Sequence, residues 1–269
     1  IYDRPNVIYY KGRLPSDDVK SVAVVGSRNC SEYGRSVAME LGRVLAAAGA
    51  QVISGLALGI DVAAHQGAVL AGGATFAVLA GGVDLCYPKQ NFNTYVDIMR
   101  NGGVISEFPD NTLTRPGMFP LRNRIISGLC DAVIIVEAGM KSGSLITAAQ
   151  ALEQNRQVYA VPGRIGDGNS EGCNHLIWQG AQIVCSYDDL LAELNLDISD
   201  STKTNEKNIL LASDEKMLYS QLLDFSPKSL ETLIKETGMS QMQVFQALLT
   251  LELKGLIKEI SKNFYIRIL

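Results

Sequence analysis

Four loops of this chain combine glycine or proline with a basic side chain, and each follows an apolar run that is typical of a β-strand. The loops span residues 26–28, 86–92, 115–124 and 139–144. Turns of this composition present backbone N–H groups beside fixed positive charges, a combination that binds phosphate. If the loops meet at one edge of a sheet, they predict a site for more than one phosphate group.

The composition limits what such a site could bind. The chain has 269 residues with 24 Lys and Arg against 28 Asp and Glu, so its formal net charge is −4. This acidity argues against a general polyanion binder but allows a focused basic cleft. The basic residues are therefore informative by their placement rather than by their number.

The cysteines and the apolar runs predict neither a disulfide framework, nor a metal site, nor a membrane span. The five cysteines are an odd number and are scattered, which is typical of the reducing cytoplasm. Cys173 and His175 are too few ligands for a zinc site. The apolar runs are too short to cross a membrane. We therefore expect a cytoplasmic protein with no cofactor.

Strand-like runs alternate with helical patterns over the first 194 residues. Strands are predicted at 7–10, 22–25, 51–54, 74–79, 103–107, 132–137, 157–161 and 182–185. Helices are predicted at 31–48, 61–71, 91–100, 119–129, 142–154, 173–179 and 187–194. Several strands are apolar throughout, as expected where helices cover both faces of a parallel sheet. The pattern predicts an α/β fold with a doubly wound parallel sheet.

A polar stretch divides the chain into two domains, 1–194 and 213–269. Residues 195–212 are rich in Ser, Thr, Asn and Asp and show no apolar period, so we predict a linker there. Beyond it, three helical patterns at 214–225, 229–236 and 240–254 precede two alternating strands at 256–260 and 264–268. Three helices followed by a two-stranded ribbon predict a small winged-helix domain.

The first and second basic loops suit nucleic acid better than a nicotinamide cofactor. The turn that ends at Arg28 follows a strand, but the GxGxxG spacing is absent. Lys89 and Phe92 lie three residues apart at a helix start and share a face, which suits a phosphate contact beside a stacked base. The alternative is that Phe92 lies in the core and Lys89 in solvent.

The third basic loop carries two arginines with different expected roles. Arg122 and Arg124 diverge on a helix because they are two residues apart. One can face the crevice while the other pairs internally with Glu107 or Glu137. The alternative is that both arginines only make internal pairs.

Two glycine turns have structural alternatives. The turn at 139–144 opens a helix and is either an anion site or a plain N-cap at Ser142. It does not match the Walker A spacing, so we expect no ATP hydrolysis. The turn at 54–61 ends at Asp61, a candidate helix cap, and His65 is a lone histidine for which we expect a structural role.

Seven segments resemble, in order, motifs of the DprA (Smf) family of DNA-processing proteins. They are VGSR, SGLALGID, YPKQN, FPLRNRIISGL, EAGMKSGSLITAAQALEQNR, and VPG followed by GCNHLIWQGA, and they extend from about residue 7 to about residue 184. The resemblance implies an extended Rossmann-like fold that binds single-stranded DNA, protects incoming DNA in natural transformation and loads the RecA recombinase on it. It also implies a homodimer and no enzymatic activity.

By matching position, the resemblance also implies which residues contact DNA. Arg28, Lys89 and Phe92 correspond to DNA-contacting residues of the family. Residues expected to line the same pocket are Gly26, Ser27, Arg122, Asn123, Lys141, Ser142, Gly143 and Ser144. Dimer contacts are expected at His175, Leu176 and Ile177. Many members carry a further N-terminal helical domain, and this sequence opens at residue 1 as though in mid-chain, so we expect an upstream segment.

The predicted winged helix lacks the basic face of a duplex reader. Residues 213–269 carry seven acidic and seven basic residues, and the third helix has no Arg or Lys before Lys254. Its apolar side is predicted to comprise Met242, Phe245, Leu248, Leu249 and Leu251. Duplex affinity depends mainly on neutralised phosphates. We therefore expect a weak DNA binder at best, and more readily a protein-contact or auxiliary module.

Two other functions match parts of the pattern. A nucleotide-processing enzyme of phosphoribohydrolase type shares the glycine-rich strand ends, but its PGGxGTxxE signature is missing and no carboxylate follows the 139–144 turn before Glu153. A transcription regulator with a ligand-sensing domain is weakened by the neutral third helix. We predict a non-enzymatic protein that binds single-stranded DNA. The loops of Arg28 and Lys89 are the first candidates for DNA contact, and the other two basic loops shape the pocket around them.

Overall fold

A computed structural model of the chain describes residues 1–196, 212–222 and 227–267. The chain divides into two compact units, Ile1–Thr202 and Lys203–Leu269. Nearly all of the predicted linker, 195–212, lies outside the described residues. None of the helices in the described part is both long enough and apolar enough to cross a bilayer.

The first unit is built on an eight-stranded sheet. Its strands are β1 Tyr9–Gly12, β2 Ser21–Val25, β3 Gln51–Ser54, β4 Thr75–Val78, β5 Gly103–Ser106, β6 Ala132–Ile135, β7 Gln157–Ala160 and β8 Gln182–Ile183. Their spatial order is β1-β5-β4-β3-β2-β6-β7-β8. All neighbours pair in parallel except β1, which is antiparallel to β5.

Helices cover both faces of this sheet. They are α1 Glu32–Ala47, α2 Ile60–Leu70, α3 Phe92–Asn101, α4 Met118–Gly128, α5 Gly143–Glu153, α6 Glu171–Trp178 and α7 Tyr187–Glu193. Along β2, Val22 and Val24 pack with α1, α2 and α7, whereas Ala23 and Val25 pack with α4, α5 and α6. The predicted doubly wound, Rossmann-like sheet is confirmed, and the double burial explains why its strands are apolar throughout.

Helices α1 and α2 approach closely because each presents a glycine to the other. A Cβ on Gly42 would lie 2.0 Å from the carbonyl oxygen of Ala64, and one on Gly67 would lie 1.8 Å from that of Met39. No larger side chain fits at either position without moving the backbone. The contact holds together the two helices that begin after β2 and β3.

The predicted strands and helices of this unit exist, and the differences lie at their ends. The first strand, predicted at 7–10, is Tyr9–Gly12, because its register is fixed by pairing from Tyr9 with Ser106 to Gly12 with Gly103. The last strand, predicted at 182–185, pairs with β7 only at Gln182 and Ile183. Long-range pairing, which sets both ends, leaves no trace in local periodicity.

The second unit is a winged helix, as predicted. Its elements are α8 Ser213–Ser220, β9 Lys228–Ser229, α9 Leu230–Thr237, α10 Gln241–Leu253, β10 Ile257–Ser261 and β11 Phe264–Arg267. The wing is a three-stranded sheet in the order β10-β11-β9, so the predicted two-stranded ribbon was incomplete. The missing strand has two residues, too few for an alternating pattern, and is defined only by its pairing with β11.

The predicted apolar side of α10 is only partly correct. Leu248 and Leu251 are buried together with Val244 and Ala247. The other apolar residues are exposed: Met242 is 79%, Phe245 54%, Leu249 53% and Leu253 81% accessible. Spaced by three or four residues, these four lie along one face of the helix. We call them the α10 apolar face.

Candidate functional site

The strand order reverses between β2 and β6, and this point positions the candidate site. From β2 the chain runs outward through β3, β4 and β5 and then returns to β6 on the other side of β2. Ligand crevices of open α/β sheets lie at the carboxyl ends of the strands at such a reversal. Here the loops after β2 and β6 are joined by the amide of Ser27, which donates to the carbonyl oxygen of Glu137 at 2.7 Å.

A cleft of about 730 Å³ opens at this point, and we call it the switch-point cleft. It collects side chains from loops that are far apart in sequence. The predicted site residues that line it are Gly26, Ser27, Arg28, Arg122, Asn123, Lys141, Ser142, Gly143 and Ser144. Three of the four basic loops thus contribute to one cavity.

Lys89 and Phe92 lie outside the described lining of this cleft. Lys89 begins a short 3₁₀ turn, Lys89–Asn91, and its side chain is exposed. Phe92, at the start of α3, is 56% exposed and stacks on Tyr95 with ring centres 6.1 Å apart. The alternative that placed Phe92 in the core is therefore wrong. The pair offers a cation and an aromatic face next to the cleft rather than within it.

Two aromatic residues that the sequence patterns did not single out stand at the rim of the cleft. The guanidinium carbon of Arg28 lies 4.5 Å from the centre of the Phe119 ring, a cation–π distance. The ring of Phe119 lies 6.2 Å from that of Tyr87, which is exposed. Both aromatics belong to the basic loops, so a search for aromatic residues beside each cation would have found them.

Arg122 is a buried cation in the wall of the cleft. Its side chain is 5% exposed, and its Nη1 lies 4.0 Å from Oδ2 of Asp61, whose side chain is 7% exposed. Burial lowers the pKa of Arg122 to about 10, against the attraction of Asp61. Burial also raises the pKa of Asp61, against the attraction of Arg122. Within the described part of the chain, the buried Nε of Arg122 has no hydrogen-bond partner.

The glycine turn before α2 makes room for this ion pair. A Cβ on Gly55 would lie 1.3 Å from Nη1 of Arg122, so only glycine fits there. The amides of Gly55 and Ala57 donate to Oδ2 of Asp61 at 3.1 Å and 3.5 Å. The expectation that Asp61 caps α2 is wrong, because the cap residue is Gly59 and no side chain bonds there. Asp61 instead holds the turn that precedes the helix.

Arg124 diverges from Arg122 and takes the internal role that the sequence allowed for one of them. Its Nη2 donates to Glu107 at 2.8 Å, and its Nε donates to Asp3 at 2.9 Å. Arg124 does not line the cleft among the described residues. The pairing with Glu107, one of the two predicted partners, is confirmed.

The N-terminus of α5 opens into the cleft. Ser142 is the N-cap, and its Oγ accepts from the amide of Ser144 at 3.4 Å and lies 2.7 Å from the Ser144 hydroxyl. The side-chain amide of Asn123 donates to the carbonyl oxygen of Gly143 at 3.3 Å and ties α4 to this turn. A helix N-terminus carries partial positive charge, to which the exposed Lys141 adds. Capping and anion binding are compatible here.

The N-terminus of α1, by contrast, is occupied by a carboxylate of the protein itself. Buried Glu137 accepts from the amide of Ser31 at 2.8 Å and also from its hydroxyl. A Cβ on Gly34 would lie 2.3 Å from the carboxyl carbon of Glu137, so the glycine makes room for it. Dinucleotide-binding folds place a pyrophosphate at this helix end. An anion in the switch-point cleft would therefore meet the N-terminus of α5 and not that of α1.

His65 has the structural role expected of it. Its ring is fully buried, and Nδ1 lies 2.7 Å from the hydroxyl of Thr75. Burial, assisted by the charge of Arg122, lowers its pKa to about 3, so the ring is neutral. In the described ranges, no group of three or more His, Cys, Asp or Glu side chains could hold a metal ion.

The three predicted dimer residues on α6 are not equally accessible. His175 is partly buried and stacks on Trp178 with ring centres 5.6 Å apart. Ile177 is partly buried against the core. Leu176 is only 8% exposed and belongs to that core, so it keeps little surface for a partner. The helical period turns Leu176 inward, whereas His175 and Ile177 are only partly buried.

The chain matches two family models. Residues 1–195 match the model described as DNA recombination-mediator protein A, and residues 203–261 match the one described as DprA winged helix domain. DNA processing protein DprA of Streptococcus pneumoniae is 47% identical over 195 residues, which are 72% of this chain and 68% of the relative. Protein Smf of Escherichia coli is 35% identical over 270 residues, covering 97% of this chain and 72% of the relative.

Two solved structures resemble the first unit. The crystal structure of DprA from Streptococcus pneumoniae has a TM-score of 0.68 at 46% identity and covers 72% of this chain and 68% of that one. The structure of DNA processing protein A from Helicobacter pylori, described in terms of its single-stranded DNA binding mode, has a TM-score of 0.66 at 30% identity. It covers 72% of this chain and 89% of that chain.

Proposed function

We propose that this chain, which belongs to the DNA recombination-mediator protein A (DprA/Smf) family, binds single-stranded DNA in its switch-point cleft. The observation that carries the proposal is the convergence of Arg28, Arg122 and the α5 N-terminus on one cavity beside the ring of Phe119. The relative from Helicobacter pylori, whose structure concerns single-stranded DNA binding, supports it.

The cleft would hold the phosphate backbone. The N-terminus of α5, the hydroxyls of Ser142 and Ser144, and the charge of Lys141 face one side of the cavity. The guanidinium of Arg122 lies in the wall of the cleft and is fixed by burial. Its side chain therefore loses little conformational entropy when a phosphate binds. These groups suit phosphodiester oxygens regardless of base sequence.

The rim would hold bases. Phe119 and Tyr87 present ring faces beside Arg28, and Phe92 presents another beside Lys89. Bases stack on such rings only when they are free of a partner strand, so the aromatic rim favours single strands over duplex. A strand leaving the cleft would reach Lys89 and Phe92 next, which gives this loop a role although it does not line the cleft.

The wider role proposed here rests on family membership. We infer that the protein is cytoplasmic, acts without catalysis, protects incoming DNA in natural transformation and loads RecA recombinase on it. We also infer a homodimer, with contacts near α6. Of the three residues expected there, His175 and Ile177 keep some exposed surface for a partner.

A phosphoribohydrolase-like enzyme is the alternative that the cleft must be tested against. Its chemistry needs a carboxylate that can act on a ligand. Asp61 is the one carboxylate among the described residues that line the cleft, and it is engaged by Arg122 and by backbone amides. Incubation with nucleoside monophosphates should release no free base; release of base would favour the enzyme.

A matched pair of charge reversals tests DNA binding. Arg28→Glu/Lys89→Glu should weaken binding of fluorescent oligo-dT by about 100-fold or more, because fixed cations become anions along the strand path. Lys258→Glu/Lys262→Glu makes the same change of charge at exposed lysines of the winged helix and should cost less than about threefold. Fluorescence anisotropy gives the affinities, and circular dichroism checks the fold. Unchanged binding by the first variant would refute the proposal.

A further inference from the structure

Helix α10 has two apolar faces, and only one of them packs in the core of the winged helix. The four side chains of the α10 apolar face remain between 53% and 81% exposed. They follow one another at intervals of three, four and four residues, which is the spacing of a seam between two packed helices. Exposed apolar seams of this kind are suited to a partner surface.

The area of the face is enough for a specific pairing with a copy of itself. At roughly 200 Å² for a whole side chain of this size, the exposed fractions amount to about 500 Å². Two copies packed face to face would bury about 1,000 Å² in total, which is the lower end of the range for specific interfaces.

The charges on and beside the face also suit a second copy. None of its four side chains is ionisable, so the face can cover itself without burying an unpaired charge. By helical position, Gln246 and Thr250 border one side of the face, and Gln241 and Glu252 border the other. A strongly charged partner would find little here to pair with. A second copy of this chain therefore matches the face in spacing, area and charge.

The helix dipoles favour an antiparallel arrangement of the two copies, in which opposite ends meet. In such a pair, centred between Ala247 and Leu248, Met242 of one copy lies opposite Leu253 of the other. Glu252 then lies close to the neutral Gln241 of the second copy, so no like charges meet at the border of the seam.

We propose that the α10 apolar face pairs with the same face of a second copy of this chain, with the two helices antiparallel. The interface is two-fold symmetric, because the same residues contribute from both copies. It needs neither bound DNA nor the contacts proposed near α6, so it can be tested independently of both.

Site-directed crosslinking of the full chain tests this pairing. Met242→Cys and Leu253→Cys are prepared as separate proteins, both with Cys185→Ser, because Cys185 is the exposed native cysteine. The two proteins are mixed at micromolar concentration and treated with a short bis-maleimide. Mass spectrometry then identifies which peptides are joined.

The expected product joins position 242 of one copy to position 253 of the other. Products that join 242 to 242, or 253 to 253, should be at least about tenfold rarer, because these positions lie about 17 Å apart at 1.5 Å per residue. Absence of the mixed product from the purified protein would assign the face to a different protein and overturn the inference. A dominant product between two copies of position 242 would also overturn it.

A matched pair of substitutions controls for random collision. Leu249→Asp places a charge in the middle of the seam, leaves both reactive positions in place and should reduce the mixed product by about tenfold or more. Leu152→Asp makes the same change at a side chain of α5 that is 59% exposed, and should alter the yield less than about twofold. Circular dichroism checks that both variants fold. Equal yields from the two variants would refute the proposed pairing.

Discussion

The switch-point cleft and the α10 apolar face are the two surfaces on which the units of this chain present their most distinctive side chains. The cleft combines fixed cations, a helix N-terminus and aromatic rings. The α10 apolar face combines Met242, Phe245, Leu249 and Leu253 with no charge among them. A winged helix often binds DNA through this helix, yet here the cleft has the chemistry of a polyanion site and α10 does not.

The difference shows that a fold alone does not assign a DNA-binding role. Residues 213–269 carry as many acidic as basic residues, so the winged helix gains no overall attraction to phosphate. Contiguous exposed apolar side chains often mark contacts with other proteins. We therefore keep the prediction that this unit is a protein-contact or auxiliary module.

The largest expected difference between the two units is the loss of stability when an ion pair is broken. Arg122→Met leaves Asp61 buried without its partner and should lower the free energy of unfolding by about 3 kcal/mol. Lys254→Met breaks a more exposed pair with Glu215, whose atoms are 2.6 Å apart, and should cost about 1 kcal/mol or less. Urea unfolding measures both variants by circular dichroism.

Arg122→Met/Asp61→Asn serves as the control, since it removes both charges and keeps an acceptor for the backbone amides. It should recover part of the loss. Equal losses for Arg122→Met and Lys254→Met would show that the wall of the cleft is not a distinct, buried electrostatic site.

Acidic pH should lower the stability of the first unit, which contains the cleft, because His65 is buried there. Its pKa falls from 6.5 in the unfolded chain to about 3 in the folded one, so the unfolded chain binds more protons between these values. Stability is full above pH 6.5 and falls as the pH drops, by about 2 kcal/mol at pH 5, since 1.5 pH units at 1.36 kcal/mol each are lost. The winged helix has no histidine and lacks this contribution.

The control for this effect is His65→Asn, whose side chain can still reach the hydroxyl of Thr75. Urea unfolding at pH 7 and pH 5 should show a smaller drop for the variant than for the wild type. The same drop in both proteins would mean that His65 titrates normally and that the burial described for it is wrong.

Aromatic truncation compares the two surfaces directly. Phe119→Ala removes a ring at the rim of the cleft and should weaken binding of oligo-dT by about tenfold, as for one stacked base. Phe245→Ala removes an exposed ring of the α10 apolar face and should change the affinity less than about twofold. Anisotropy measures both. A similar loss of oligo-dT affinity in the two variants would show that the cleft and the α10 apolar face do not differ in DNA binding.

The fold was predictable because the apolar strands and glycine turns are local signals. The grouping of Arg28, Arg122 and Lys141 was also predictable, since parallel strands bring their carboxyl ends to one edge. What the sequence could not show depends on contacts between distant segments. The stacking of Phe119 on Arg28 and the insertion of Glu137 at the start of α1 are of this kind.

In two helices, the sequence pattern did not identify which apolar side chains are buried. In α6, eight residues long, the inward turn of Leu176 is fixed by packing against the sheet. In α10, apolar residues lie on two faces, so composition cannot tell Leu248, which is buried, from Leu249, which is exposed. Helical period identifies such faces but does not say which of them meets the core.

We expect the cleft, and not the winged helix, to give this chain its affinity for DNA. The most direct test compares the affinities of the full chain for a single strand and for a duplex of equal length as a function of salt concentration. Contacts from Arg28, Lys89, Arg122 and Lys141 predict a log–log slope of about −3 on the single strand, at about −0.7 per neutralised phosphate. The duplex should bind more weakly at every salt concentration. Equal or tighter binding of the duplex, or a single-strand slope near zero, would contradict the claim.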